Sequence, residues 1–386
     1  MNPSRRAFLG KTLAATAAAG LGPAYWRAVF AANASLGESP YGPLGSPDAY
    51  GVRLPAGFNA RLTGMTGQAV PGTNYIWHGW PDGGATFATT DGGWIYTSNS
   101  ELNGTRGGAS AIRFDATGRI VRAYRILSGT KWNCAGGATL WATWLSCEEH
   151  RAGVVWECDP FQAGQGIARP ALGTFAHEAA VVDLVTGYVY LTEDDGEGRL
   201  YRLRPNSWQD LSAGVLEAAS VSPDGFVTWV AVPADRPYRG RDTAPFARGE
   251  GAWYSNGYVY FCTTADHRVW ALETATGRLE IIYDAALLGT LAPLRDPDNV
   301  TVHERSGDIF VAEDAGDIQL VLLANQSGQR IAAPFLQFAG HAGSEVSGPA
   351  FNPSGTRLYV SSQRGTDGDN NGAGMTFEIT GPFRRR

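Results

Sequence analysis

In NCAGGATLWATWLSCEE, residues 133–149, a cysteine opens a run of small residues and a pair of glutamates closes the next apolar run. A thiolate and carboxylates are metal ligands, and the pattern recurs. Glu178, Glu250, Asp298 and Glu345 stand, like Cys134, at the start of a short apolar segment. Glu101, Glu148 with Glu149, Glu193 with Asp194, and Glu313 with Asp314 stand at the end of the segment that follows. A single glutamate at a strand end is ordinarily a solvated rim residue; recurrence at one offset in several units sets these apart. Carboxylates brought into one cavity repel and raise one another's pKa unless cations neutralise them. Oxygen ligands suit hard cations such as calcium, and the lone thiolate suits a softer transition metal such as iron or zinc. A mixed metal site is the expected chemistry.

The elements that would gather these residues are short aromatic strands: GGWIYTSNSE (92–101), WATWLSCEE (141–149), GYVYLTEDD (187–195), GYVYFCTTAD (257–266), GDIFVAEDAG (307–316) and TRLYVSSQRG (356–365). With Tyr96, Trp144, Tyr190, Tyr260, Phe310 and Tyr359 as equivalents, the steps are 48, 46, 70, 50 and 49 residues. A period near fifty in a glycine-rich chain without helical periodicity predicts an all-β, six-bladed β-propeller, favoured over a pair of β-sandwiches. The long step predicts one enlarged blade, with the insertion in 205–249. Thr-Gly, Asn-Gly and Ser-Gly pairs between alternating runs predict hairpins joining the innermost strand of a blade to the second. Segment 372–383 or 51–64 would close the ring. In such up-and-down blades the first strand starts, and the second ends, on the same face of the disc, so acids spread through the sequence would ring one mouth of the channel.

The first 34 residues read as a twin-arginine export signal, with Ser4-Arg5-Arg6-Ala7-Phe8-Leu9 before an alanine-rich stretch and Ala32-Asn33-Ala34 as the cleavage site. The mature chain, 35–386, is then a single propeller domain, periplasmic or secreted, with no stable membrane span, expected as a monomer and meeting the translocation machinery only during export. Residues 1–34 hold Arg5, Arg6, Lys11 and Arg27 and no acid, so their removal takes the formal net charge from −6 to about −10. Nucleic acid is excluded as a partner by that sign, and an anionic substrate needs local cations to receive it. Among the four cysteines, Cys147 and Cys158 could face each other across a hairpin as a disulfide or two buried thiols, and Cys262 reads as core. No C-x-x-C pair supports a zinc knuckle. His177, beside Glu178, is open between supporting a ligand and a satisfied histidine at a blade edge.

These stretches resemble the PhoX-type alkaline phosphatases: NCAGG with TWLSCEE, HEAAVVDLVTGYVYLTED, EGAWYSNGYVYFCTT, PDNVTVHERSGDIFVAED and EVSGPAFNPSGTRLYVSSQ, in this order over nearly all of the mature chain. The resemblance implies a six-bladed propeller whose funnel holds ferric iron with calcium ions and hydrolyses phosphomonoesters, the metals activating water or a bridging oxygen. It implies Cys134, Glu178, Glu250 and Asp298 as ligands of the iron centre. It implies Glu148, Glu313 and Glu345 on the calcium side, and Arg248, in ARGEG, as a phosphate-contacting arginine. Upstream of Cys134 only Lys131 offers a nearby amine. The alternatives are a calcium-dependent propeller hydrolase, such as a lactonase or phosphodiesterase, and a non-catalytic metal-stabilised binding propeller.

Overall fold

The computed structural model of the protein describes residues 33–368 and 373–385. The twin-arginine pattern lies outside the described residues. Six sheets, antiparallel apart from one short outer-edge pairing in blade five, follow one another as the blades of a ring. Their innermost strands are Pro81–Ala88, Asn133–Ala138, His177–Val182, Gly249–Ser255, Pro297–His303 and Val346–Phe351, for blades one to six. The second strands are Trp94–Ser100, Trp144–Glu148, Val189–Glu193, Tyr258–Thr263, Asp308–Glu313 and Arg357–Ser362. Blade three has five strands, the fifth being Val227–Ala231, and this strand with the loop to Gly249 fills the 70-residue step.

Both terminal segments close the ring. Met375–Thr380 is the third strand of blade six and Asn59–Met65, from the other end of the chain, is its fourth. Ser35–Leu36 lies parallel to Gln329–Phe338 on the outer edge of blade five. Ala34 is buried, and its N–H donates to the Ile282 carbonyl at 3.0 Å. The boundary expected at 34/35 therefore falls where the chain is already packed.

Each blade is sandwiched between two neighbours, so the second strands read as runs of buried residues rather than alternating ones; Asp308–Glu313 and Tyr258–Thr263 are buried throughout. Aromatic side chains fill the gaps: Tyr96 of blade one stacks on Tyr359 of blade six at 4.6 Å, and Phe310 meets both Phe335 and Phe351 edge-on. The Asn256-Gly257 hairpin has both residues at positive φ, 50° and 86°, the primed turn that matches strand twist.

Two features of the inner strands position the site. Every inner strand carries a bulge near its start, where pairing slips by one residue: Pro81/Gly84, Asn133/Gly136, His177/Ala180, Gly249/Ala252, Pro297/Val300 and Ser347/Ala350. A bulge bends the strand and re-aims the side chains within it. Inner strands also nearly touch at the axis. A Cβ on Gly83 would lie 2.4 Å from the Ala135 Cα, and one on Gly251 2.6 Å from the Asn299 Cα. Glycine there lets Asp82 approach Cys134 and Glu250 approach Asp298.

Candidate metal centre

A six-fold hydrogen bond registers the mouth of the ring. The residue just after the second strand donates its N–H to the carbonyl of a residue just before the inner strand: Glu101 to Trp80, Glu149 to Trp132, Asp194 to Ala176, Thr264 to Arg248, Asp314 to Asp296 and Gln363 to Glu345, all at 2.8–3.1 Å. Two residues beyond the acceptor stand Asp82, Cys134, Glu178, Glu250, Asp298 and Ser347. The row of inner ligands is thus Asp82 through Asp298, and Glu345 sits two positions earlier than its expected equivalents.

Three clusters bring ligand atoms within 4.8 Å of one another: Glu178, Glu250 and Asp298; Cys134, Glu149 and Glu178; Asp82, Glu101 and Glu345. Glu178 joins the first two. Its Oε1 lies 3.1 Å from the Cys134 Sγ, while Oε2 is buried with no hydrogen-bond partner among the described residues. The Asp82 Oδ2 lies 3.7 Å from the same sulfur and accepts from Gln363 Nε2 at 2.6 Å, which also donates to Glu101 at 2.7 Å. Asn299 donates to Asp298 at 2.7 Å and Thr264 to Glu250 at 2.5 Å. From blade one, Asn99 donates to the carbonyls of Cys134 and Ala135 at 3.0 and 2.8 Å, fixing the bulge that aims the thiol.

Electrostatically this assembly is incomplete. Burial, then Glu250, Glu149 and Asp298, push the Glu178 carboxyl well above its ordinary range. Burial and neighbouring carboxylates likewise raise Glu149, Glu250, Asp298 and Glu345 and take Glu101 to about 8, while burial alone takes Asp82 to about 7. The Cys134 thiol is raised by burial, Asp82 and Glu178. Cations among its members would favour the anionic form of such a set. The orphaned Glu178 oxygen, the all-oxygen cluster and the cluster containing sulfur suit bound metals of differing hardness.

The structure does not bring Glu148 and Glu313 into these clusters, contrary to expectation. Each is the last residue of its second strand, one position before the channel residue, and successive strand residues face opposite ways. The Glu148 carboxylate accepts the N–H groups of Lys131 and Val154, and that of Glu313 those of Arg295 and Gln319. Glu193 repeats the device on the Arg199 N–H, six residues on, as in the other two. These three brace turns. Glu101, Glu149, Asp194 and Asp314 are the channel-row acids instead.

Arg248 stands at the lip, its side chain 46% exposed and its φ at 53°. Its guanidinium spans Asp194, at 2.8 and 3.0 Å, and Glu250, at 3.3 Å. Arg364 of blade six pairs with Glu345 at 2.9 Å and lies over the Trp80 ring. The Lys131 ammonium rests 3.9 Å from the Trp132 ring centre. His177 is an interior histidine, its Nε2 bonded to the Gly173 carbonyl at 3.1 Å, its ring tilted against Phe175, and its Nδ1 buried with no hydrogen-bond partner among the described residues. Cys147 and Cys158 are separate buried thiols: Cys147 pairs with Val155 and Cys158 with Trp144, three residues apart in register, so they face opposite sides of the blade. Sequence reasoning missed Asp82, Gln363, Thr264 and Arg364. Only Asp82 carried a signal, an acid followed by glycine at a strand start, as in Glu250-Gly251; the other three are not acids and do not repeat.

A family model described as alkaline phosphatase PhoX matches residues 80–154 and 149–285, blades one to four and more than half of the chain. Among solved structures, PhoX of Pseudomonas fluorescens in complex with vanadate, a transition state analogue, is similar at 16% identity, covering 88% of this chain and 97% of that one, with a TM-score of 0.71. A luciferin-regenerating enzyme (12% identity, 85% and 97% covered, TM-score 0.50) is similar too. So is a Bacteroides thetaiotaomicron protein of unknown function (9%, 83% and 76%, 0.51). At these identities the structures share the ring fold. No curated protein matches the sequence.

Proposed function

The chain belongs to the alkaline phosphatase PhoX family, and from that premise we propose that it is an exported hydrolase of small phosphomonoesters working at the mouth of the ring. The observation that supports this most is the convergence of one buried thiol and seven buried or nearly buried carboxylates with a guanidinium at their lip. Cys134, Glu149, Glu178, Glu250 and Asp298 would hold iron. Asp82, Glu101 and Glu345 would hold calcium, in place of the turn-bracing Glu148 and Glu313. When bound, multivalent cations supply Lewis-acid stabilisation of phosphoryl charge and a lowered pKa for water.

The chain's own residues supply the rest. Arg248, held over the lip by Asp194 and Glu250 through Nε and Nη2, turns its Nη1 edge to the mouth as a donor to phosphoryl oxygens. It also answers how an acidic protein receives an anion. Cys134 serves as a ligand, since phosphoryl transfer needs positioning and charge stabilisation more than a covalent side-chain nucleophile. Asn99, Asn299, Thr264 and Gln363 fix the ligand row through the hydrogen bonds described above.

The test is elemental analysis of natively exported protein purified without chelator, with hydrolysis of a chromogenic phosphomonoester by the same sample. Iron with calcium, and calcium-stimulated phosphate release, is the expected result. Calcium alone with no phosphate release would overturn the reading in favour of a calcium-dependent propeller hydrolase or a binding propeller.

A further inference from the structure

A second pair of side chains stands on the same lip as Arg248, and the ligand clusters do not use it. We propose that His267, oriented by Asp296, is the proton donor to the leaving-group oxygen of the ester; this rests on the phosphatase reading above.

The placement follows from the seam between blades four and five. Thr264 occupies the channel row of blade four, its hydroxyl on Glu250 and its N–H on the Arg248 carbonyl. The turn it opens carries His267, whose N–H returns to the Thr264 carbonyl. Across the seam, Asp296 is the residue before the inner strand of blade five, two positions from Asp298. One seam therefore holds Arg248, Glu250, Asp298 and His267, with Glu250 and Asp298 in a single cluster. His267 and Asp296 both have left-handed backbones, φ 54° and 45°, a conformation that Asp and His adopt more readily than most residues and that Trp80, Trp132 and Arg248 share with Asp296 before their inner strands.

The pairing suits proton delivery. The His267 Nδ1 lies 3.2 Å from the Asp296 N–H donor and 3.2 Å from its Oδ1. The backbone N–H satisfies Nδ1 in the neutral ring, and the carboxylate satisfies the Nδ1–H of the charged ring. In the charged ring the Nε2 proton is the one to give, because Asp296 holds the Nδ1–H and the bond at one ring nitrogen sets the role of the other. The imidazole is 43% exposed at the mouth. The other histidine at this face, His150, differs: its ring packs against Trp132, 19% exposed, and its Nδ1 accepts the Ala152 N–H within its own turn.

In the step, water forms a bond to phosphorus as the bond from phosphorus to the ester oxygen breaks. The Nε2 proton passes to that oxygen, and the neutral imidazole recovers a proton from the attacking water by way of solvent. Ester and water give alcohol and phosphate, in balance.

The discriminating experiment is leaving-group dependence in His267→Gln holoenzyme. An alkyl phosphate, whose alkoxide needs a proton, should lose about 100-fold in kcat/KM. A nitrophenyl phosphate, whose phenolate leaves without one, should lose only about threefold. Asp296→Asn should show the same split at about tenfold, and added imidazole should partly restore alkyl ester hydrolysis by His267→Gln, with iron and calcium content unchanged in both. Equal losses on the two esters, or none, would overturn the assignment of His267. A wild-type protein that turns over neither ester would take down the phosphatase reading and this step with it.

Discussion

The two faces of the ring treat buried carboxylates in opposite ways. On the face away from the mouth, Glu378 is 1% exposed and is held by Arg357 at 2.7 Å, Arg61 at 2.9 Å and the Tyr359 hydroxyl at 2.9 Å. Asp308, equally buried, is matched there by Arg384 and the Tyr41 hydroxyl. A cleft of about 670 Å³ opens beside Glu378, and of its lining arginines Arg61 and Arg357 are engaged with Glu378 and Arg119 with Asp115. At the mouth, Glu178 and Asp298 are buried too, yet the groups closest to them are other acids, the Cys134 thiol and a neutral amide. Burying an unpaired charge costs several kcal/mol. A chain that matches Glu378 and Asp308 with guanidiniums on one face, yet leaves Glu178 and Asp298 among other acids at the mouth with only Arg248 and Arg364 at the lip, is arranged to receive further positive charge from outside.

The sharpest way to break that comparison is the pair Glu148 and Glu149, adjacent in sequence and opposite in role. Glu149→Gln should lower bound iron and reduce phosphate release by at least about 100-fold, since even residues supporting metal ligands are worth 10- to 100-fold. Glu148→Gln should leave metal content and turnover near wild type and cost about 1–2 kcal/mol through its turn. Elemental analysis, turnover and denaturant melts of both variants decide it; similar metal loss in both would mean that the turn-bracing acids are ligands after all.

Metal removal sharpens the comparison through pH. In the stripped protein Asp82 titrates near 7 and Glu101 near 8, both above their ordinary values near 4. A carboxyl raised in the folded state binds protons that the unfolded chain has released, so stability is fully present below about pH 4 and is lost as pH rises to about 8. The melting temperature of chelator-treated protein should fall by roughly 5 °C across that window, and that of the loaded protein should stay flat. A flat profile for both would mean the acids are neutralised within the chain.

The smallest expected effect lies at the other face. Glu378→Gln leaves Arg61 and Arg357 facing a neutral amide, and because both guanidiniums are partly exposed the loss is about 2 kcal/mol rather than the 3–5 of a fully buried pair. Metal content and turnover should not change. A loss of metal would show that the two faces are not independent.

Much of the architecture was legible because each blade repeats one physical problem. An aromatic second strand must fill the wedge between sheets, and a Gly-containing turn must return the chain, so Tyr96, Trp144, Tyr190, Tyr260, Phe310 and Tyr359 recur at near-constant spacing. Which acids reach the channel was only half legible. Glu178, Glu250 and Asp298 repeat at a strand start and meet. Glu148 and Glu149 differ by one residue, and no property of two neighbouring glutamates says which faces the axis. Gln363 and Arg364 could not be anticipated, since the first is a neutral member of an acidic row and the second lies outside the repeat.

The amino-acid sequence by itself determined the ring, its six units and the acid-rich face, because strand period, turn residues and repeat length are local properties carried in every blade. Tertiary structure alone decided the ligand set. The bulge at the start of each inner strand, the bare glycines at the axis and the one-residue alternation of the second strands fix which side chains come within 4.8 Å. Those distances join blades one to six and exist only once the ring has closed.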